Sequence, residues 1–225
     1  MVQIIKVTDE QAPVFNDCDD KLFCDDNAFL SNGQCHGYVD IVPDVDDECT
    51  PDNQIELRYR IDEFKSGSYG AWISLPVLSG HFPVGTHSVQ WNAKDGCGNE
   101  SWCEYDFEVK DCKKPTPYCR TGIITVLMEG AGEVSIWAND FDLGSTDNCT
   151  ANEDLRFSFS EDINDTGRTY NCDSLGGNLS LRKTIRVYVW DECGNFDYCE
   201  STIEIQDNGK CIGSLFGSVS GTVTS

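Results

Sequence analysis

The stretch Asp95–Asp111, DGCGNESWCEYDFEVKD, is answered 96 residues later by Asp191–Asp207, DECGNFDYCESTIEIQD. Aligned without a gap, the two agree at 8 of 17 positions. Three of the others exchange like for like: Trp102 for Tyr198, Phe107 for Ile203, Val109 for Ile205. A period of this length is a domain copied in tandem. Each copy begins with a Gly-Asn turn and runs into an alternating segment, with Cys103, Tyr105, Phe107 and Val109 on one face in the first.

The same alternation extends outward from the repeat. IELRYRI (55–61) places Ile55, Leu57, Tyr59 and Ile61 together, and HSVQWNA (87–93) does so with Val89, Trp91 and Ala93. EVSIWA (133–138), LRFSFS (155–160) and IRVYVW (185–190) repeat the pattern in the second half, and turn clusters such as SGSYG and DLGSTDN separate the segments. Short alternating strands in units near 100 residues predict an all-β chain of two tandem immunoglobulin-like antiparallel β-sandwiches. Residues 1–9 read as an isolated last-type strand, 10–111 as domain 1, 112–208 as domain 2 and 209–225 as a tail.

Composition narrows the function. With 39 acidic against 16 basic residues, a net charge of −23 and a pI near 4.2, the surface repels phosphate backbones and anionic lipid. Nucleic-acid and membrane-surface roles are disfavoured, and no segment reaches the ~18 apolar residues of a membrane span. Thirteen cysteines point to disulfides and an oxidising, extracellular compartment. Zinc is the weaker account, because no C-x-x-C pair occurs and His36, His81 and His87 are not spaced as ligands. The opening MVQIIKVTDE lacks the regions of a signal peptide, so either an export signal has been removed or the chain is a piece of a longer one.

VTDEQAPVF, PVGTHSVQWNAKDGCGN and CEYDFEVKD together resemble the hyalin-repeat type of immunoglobulin-like domain. The second unit, with PTPYC, WANDFDLGSTDNCT and VYVWDECGNFDYC, is similar to repeats in large secreted bacterial surface proteins. The resemblance covers most of residues 7–208 and implies adhesive or structural modules rather than enzymes. The acidic, Cys-rich insert NDCDDKLFCDDNAFLSNGQC of the first unit departs from that pattern.

Sandwich topology gathers the acids. The F–G turn lies at the pole beside the domain's N-terminus, as does the B–C loop. In domain 2 this brings Asp111, the group Asp140, Asp142, Asp147 and Asn148, and Asp191, Asn195 and Asp197 to the joint. Domain 1 repeats the set with Asp9, then Asp44, Asp46, Asp47 and Asp52, then Asp95 and Asn99. Carboxylates so concentrated repel one another unless a cation neutralises them, and Ca²⁺ takes six to eight oxygens from such loops. The expected cofactor is therefore Ca²⁺, in an arrangement that resembles the joints of cadherin-like tandems. The bland alternative is that Asp and Asn simply favour turns.

Repeat equivalence also suggests four disulfides. Cys49–Cys97 and Cys149–Cys193 would close the acidic poles, and Cys18–Cys103 and Cys119–Cys199 would tie first strands to last. Cys24, Cys35, Cys112, Cys172 and Cys211 are left unassigned.

Two end segments lack a home. Val2 to Asp9 aligns with Glu104 to Asp111, a last strand, presenting Val2, Ile4, Ile5 and Val7. The tail offers Leu215, Phe216, Val219 and Val223. Unpaired strands are a liability unless they join a neighbouring copy, a head-to-tail contact that grows a fibre. A flexible Gly/Ser tail and a cut repeat array are the other readings.

No catalytic motif emerges. GSVSG has Val219 where G-x-S-x-G needs Ser, and GAGEVS lacks the glycine and lysine of a phosphate loop. Two function classes follow. One is a calcium-stiffened structural subunit that pairs with copies of itself. The other is an adhesin for a glycan or surface protein, with Trp72, Trp102, Trp137 and Tyr170 as a possible sugar platform.

Overall fold

Trp91 and Cys103 face each other across the hairpin that contains the repeated turn, and this hairpin organises the first unit. The computed structural model describes residues 8–211. The expected assembly residues Val2, Ile4, Ile5, Val7, Leu215, Phe216, Val219 and Val223 lie outside them. The chain divides into two compact units between Lys113 and Lys114.

The strands of unit 1 are β1 (Val14–Phe15), β2 (Lys21–Asp25), β3 (Phe29–Ser31), β4 (Gln34–Ile41), β5 (Val45–Asp46), β6 (Glu56–Asp62), β7 (Leu78–Pro83), β8 (Gly85–Lys94) and β9 (Glu100–Asp111). One sheet runs β2-β9-β8-β6, the other β3-β4-β7, and β1 pairs with β5. Val39 and Leu78 from the smaller sheet meet Val89, Trp91, Phe107 and Val109 from the larger one, all fully buried. Burial of each such side chain contributes roughly 1.5–3 kcal/mol. Gly37 on β4 lets the layers approach, since a Cβ there would stand 2.8 Å from Val109 Cγ1. The acidic, Cys-rich insert supplies β2, β3 and the start of β4, so it is built into the sandwich rather than appended to it.

Unit 2 contains β10 (Ile123–Leu127), β11 (Glu133–Trp137), β12 (Arg156–Ser158), β13 (Gly167–Asn171), β14 (Ser180–Trp190) and β15 (Phe196–Gln206). Its sheets are β10-β15-β14-β12 and β11-β13. Met128, Val187, Ile203 and Ile205 are fully buried between them, with Phe141 edge-on to Phe159.

Alternation predicts antiparallel ladders, and most pairs are antiparallel. In each unit, however, the first strand of the large sheet runs parallel to the last: β2 with β9, and β10 with β15. Cys18–Cys103 and Cys24–Cys112 brace the first parallel seam, and Cys119–Cys199 braces the second. Cys172–Cys211 ties the turn after β13 to the segment after β15. Strand β6 is an edge, and it is covered by the segment carrying Ile73, whose N–H and C=O exchange hydrogen bonds with Tyr59.

Candidate metal centre

The turn after β8 organises the N-terminal pole of unit 1. Asp95 Oδ1 accepts from the backbone N–H groups of Cys97, Gly98 and Asn99 at 2.9, 2.6 and 2.7 Å. Its Oδ2 accepts from Asn99 Nδ2 at 2.6 Å. Asn99 Nδ2 also donates to the backbone oxygens of Asp9 (3.2 Å) and Gln11 (2.8 Å), which fastens the incoming chain to the turn. From the B–C side, Asp47 Oδ1 accepts from the N–H groups of Cys49 and Thr50, and Thr50 Oγ1 accepts from Gly96 N. These are ordinary side-chain-to-backbone turns, and together they deliver three carboxylates to one place.

One carboxylate oxygen from each of Asp9, Asp47 and Asp95 lies within 4.8 Å of the other two. Asp95 is buried, and Asp9 Oδ2 is shielded from water with no hydrogen-bond donor. Burial works against the Asp95 charge, but the Asn99 side chain and the turn N–H groups outweigh it and hold the carboxyl below its usual range. Asp95 is thus kept ionised. Every donor in it is a hard oxygen, which fits Ca²⁺ and not a thiolate- or imidazole-seeking metal. Asp9, Asp47 and Asp95 would hold the ion, with water completing a shell of six to eight oxygens.

The other predicted ligands of this pole are placed elsewhere. Asp46 projects from β5 and accepts from Asn16 Nδ2 at 2.7 Å, Asp44 bonds Asn16 through its backbone oxygen, and Asp52 opens an exposed 3-10 turn. The two-residue strand β5 decides this, because it buries Val45 and turns its neighbours outward.

In unit 2 the same turns recur. Asp191 Oδ1 and Oδ2 accept from Asn195 N and Nδ2, both at 2.7 Å. Asp147 Oδ2 accepts from Cys149 N and Thr150 N, and Thr150 Oγ1 accepts from Glu192 N. Asp147 Oδ1 is buried without a hydrogen-bond donor, and Asn148 follows it in the same turn. Asp140, Asp142 and Asp197 are engaged locally instead. Asp140 accepts from Trp137 N, Asp142 accepts from Gly144 and Ser145, and Asp197 accepts from Tyr198 N on the exposed face of β15. At the end of β9, Asp111 is buried and accepts from Lys113 N.

The cysteines need two corrections. Cys18–Cys103 and Cys119–Cys199 are bonded, but Cys49 and Cys97 are exposed thiols rather than a pair. The reason is local: Thr50, not Cys49, reaches the F–G turn, leaving the Cys49 thiol against Asp9. The negative charge of Asp9, followed by burial, raises its pKa. Cys149 is disulfide-bonded, though not to Cys193. Sequence equivalence did not anticipate Cys24–Cys112 or Cys172–Cys211. The parallel β2/β9 register, which sets Cys24 opposite Lys110, is what makes the first possible.

No protein-family model matches the chain, and no curated protein matches it in sequence. Solved structures do resemble it. The Protocadherin Gamma B2 cadherin domains 3–6 share 15% identity over 88% of this chain and 51% of theirs, at a TM-score of 0.44. The N-terminal four Ig domains of Dscam1 share 9% over 86% and 46%, at 0.40. The fibronectin(III)-like modules of Clostridium thermocellum CbhA share 12% over 93% and 100%, at 0.29. The chain spans about half the length of the first two. Among the described residues no helix is long and apolar enough to cross a membrane.

Proposed function

We propose that this chain is a non-enzymatic, extracellular tandem repeat of the hyalin type, whose poles are stiffened by Ca²⁺. The observation that carries the reading is the Asp9, Asp47 and Asp95 cluster, in which a buried Asp9 oxygen has no donor. Three carboxylates in one pole repel one another, and a bound cation converts that repulsion into a restraint. By sequence equivalence Asp147 and Asp191 of the second unit correspond to Asp47 and Asp95, and Asp111 corresponds to Asp9. The disulfides suit an oxidising compartment, and they brace the seams along which tension would pass.

Assembly with further copies, head to tail and by donation of an end strand, is part of the proposal on sequence grounds alone. An adhesive module is the second reading, favoured by the exposed Trp102 and Trp137.

Negative-stain microscopy with Ca²⁺ and after chelation tests the whole, alongside Ca²⁺ titration calorimetry. Uniform fibres that fray on chelation support both stiffening and assembly. Ca²⁺ binding without fibres retains the cation site and removes the polymer. No heat of Ca²⁺ binding overturns the central claim.

A further inference from the structure

Unit 2 carries an open cleft of about 570 Å³, lined by Trp137, Asn139, Asp140, Arg156, Asn164 and Thr166 among others. That size falls within the range of small-molecule sites, about 300–1,000 Å³. Trp137 is 53% exposed, unusual for the largest apolar side chain. Its position is set by Gly167, its partner across the β11–β13 ladder. A Cβ at Gly167 would stand 2.6 Å from Cε3 and Cζ3 of the indole, so only glycine lets the ring lie on that strand. The ring is therefore held against the backbone on one side, while much of its surface lines the cleft.

The polar rim is available. Among the described residues, the side chains of Asn139 and Arg156 make no hydrogen bond or ion pair, whereas Asn164 Nδ2 is held by Asp162 Oδ1 at 3.1 Å. Asp140 and Arg156 balance one another in charge within the rim. The other exposed tryptophan offers no such site. Trp102 packs edge-on against Trp72 at 5.5 Å, with Arg58 6.0 Å from its own ring, and Arg58 and Arg60 both lie 4.8 Å from the Trp72 ring, so this pair is engaged with arginines and not with a cleft.

An anchored, exposed indole rimmed by amides, a hydroxyl and a guanidinium matches one ligand chemistry well. A pyranose has an apolar C–H face to lie on the ring and equatorial hydroxyls to bond the rim. We propose that this cleft binds neutral sugar units of a glycan. Charge selects neutral over acidic sugars, since the chain carries −23 overall. The site shares no residue with the Asp9, Asp47 and Asp95 cluster and stands or falls without it.

The test is an array of neutral glucan, mannan and galactan hexasaccharides, with sulfated and uronic-acid oligosaccharides alongside, followed by titration of any neutral hit. The expected result is binding to at least one neutral hexasaccharide. Trp137→Ala should weaken it roughly tenfold or more, as befits a central aromatic anchor. Gly167→Ala, which displaces the ring without removing it, should weaken it as well, and Trp102→Ala should not. Thermal melts of the variants confirm that each is folded. No neutral binding, binding of acidic sugars alone, or full affinity in folded Trp137→Ala overturns the proposal.

Discussion

Asn99 donates its side-chain nitrogen to the backbone oxygen of Asp9, 90 residues earlier, while also bonding the Asp95 carboxylate. One amide thus holds the incoming chain against the F–G turn and fixes the spacing of two acidic groups. Asn99→Ala should leave the sandwich folded, because its core is remote, yet lower Ca²⁺ affinity at this pole. Calorimetry should show a loss of roughly tenfold, in the range of residues that orient metal ligands. Unchanged affinity would mean that Asp9 is placed by something else.

The Asp95 carboxyl is held below its usual range, so its contribution follows the sign for a depressed acid. That contribution is complete above the unfolded value of about 3.9 and is lost as pH falls through the lower folded value. Melting temperature in chelator should therefore fall on acidification below that range. Asp95→Asn should show a shallower acid decline than the parent. An identical acid profile in the variant would assign the dependence to other carboxylates.

Cys49 should alkylate more slowly than Cys97 at neutral pH, because Asp9 disfavours its thiolate. Residue-resolved mass spectrometry after iodoacetamide reads both rates in one sample. Asp9→Asn should speed Cys49 and leave Cys97 unchanged, and Ca²⁺ should act in the same direction if it neutralises Asp9. Equal rates in parent and variant would place the thiol away from that charge.

Trp91 is fully buried, packs on Tyr59 at a ring distance of 4.9 Å and donates its indole N–H to Tyr105 Oη at 3.2 Å. Trp91→Ala should cost unit 1 about 3–5 kcal/mol, measured by denaturant unfolding. Opening Cys18–Cys103 by a double Cys→Ser change should cost roughly 2–4 kcal/mol, since the bond closes a long loop.

Strand identity was legible in the sequence because alternation is a local property. Val89, Trp91 and Phe107 face the core for the reason their spacing suggests. The repeat likewise announced the Asx turns at Asp95 and Asp191, whose hydrogen bonds lie within four residues. Sandwich topology led to a wider set of acids at this pole, of which Asp9, Asp47 and Asp95 come together while Asp44, Asp46 and Asp52 stand apart.

Tertiary structure decided what local pattern does not encode. The short β1–β5 pairing turned Asp46 outward to Asn16 and left Asp47 to the cluster. Thr50 rather than Cys49 met the F–G turn, so two thiols expected to bond remained apart. The parallel β2–β9 and β10–β15 seams, and the Trp137 ring resting on Gly167, depend on partners 30 to 86 residues away. A side chain's period along a strand is set by backbone geometry, which the sequence carries residue by residue. Its partner across a loop is set by how separate strands register against one another, and only the packed core settles that.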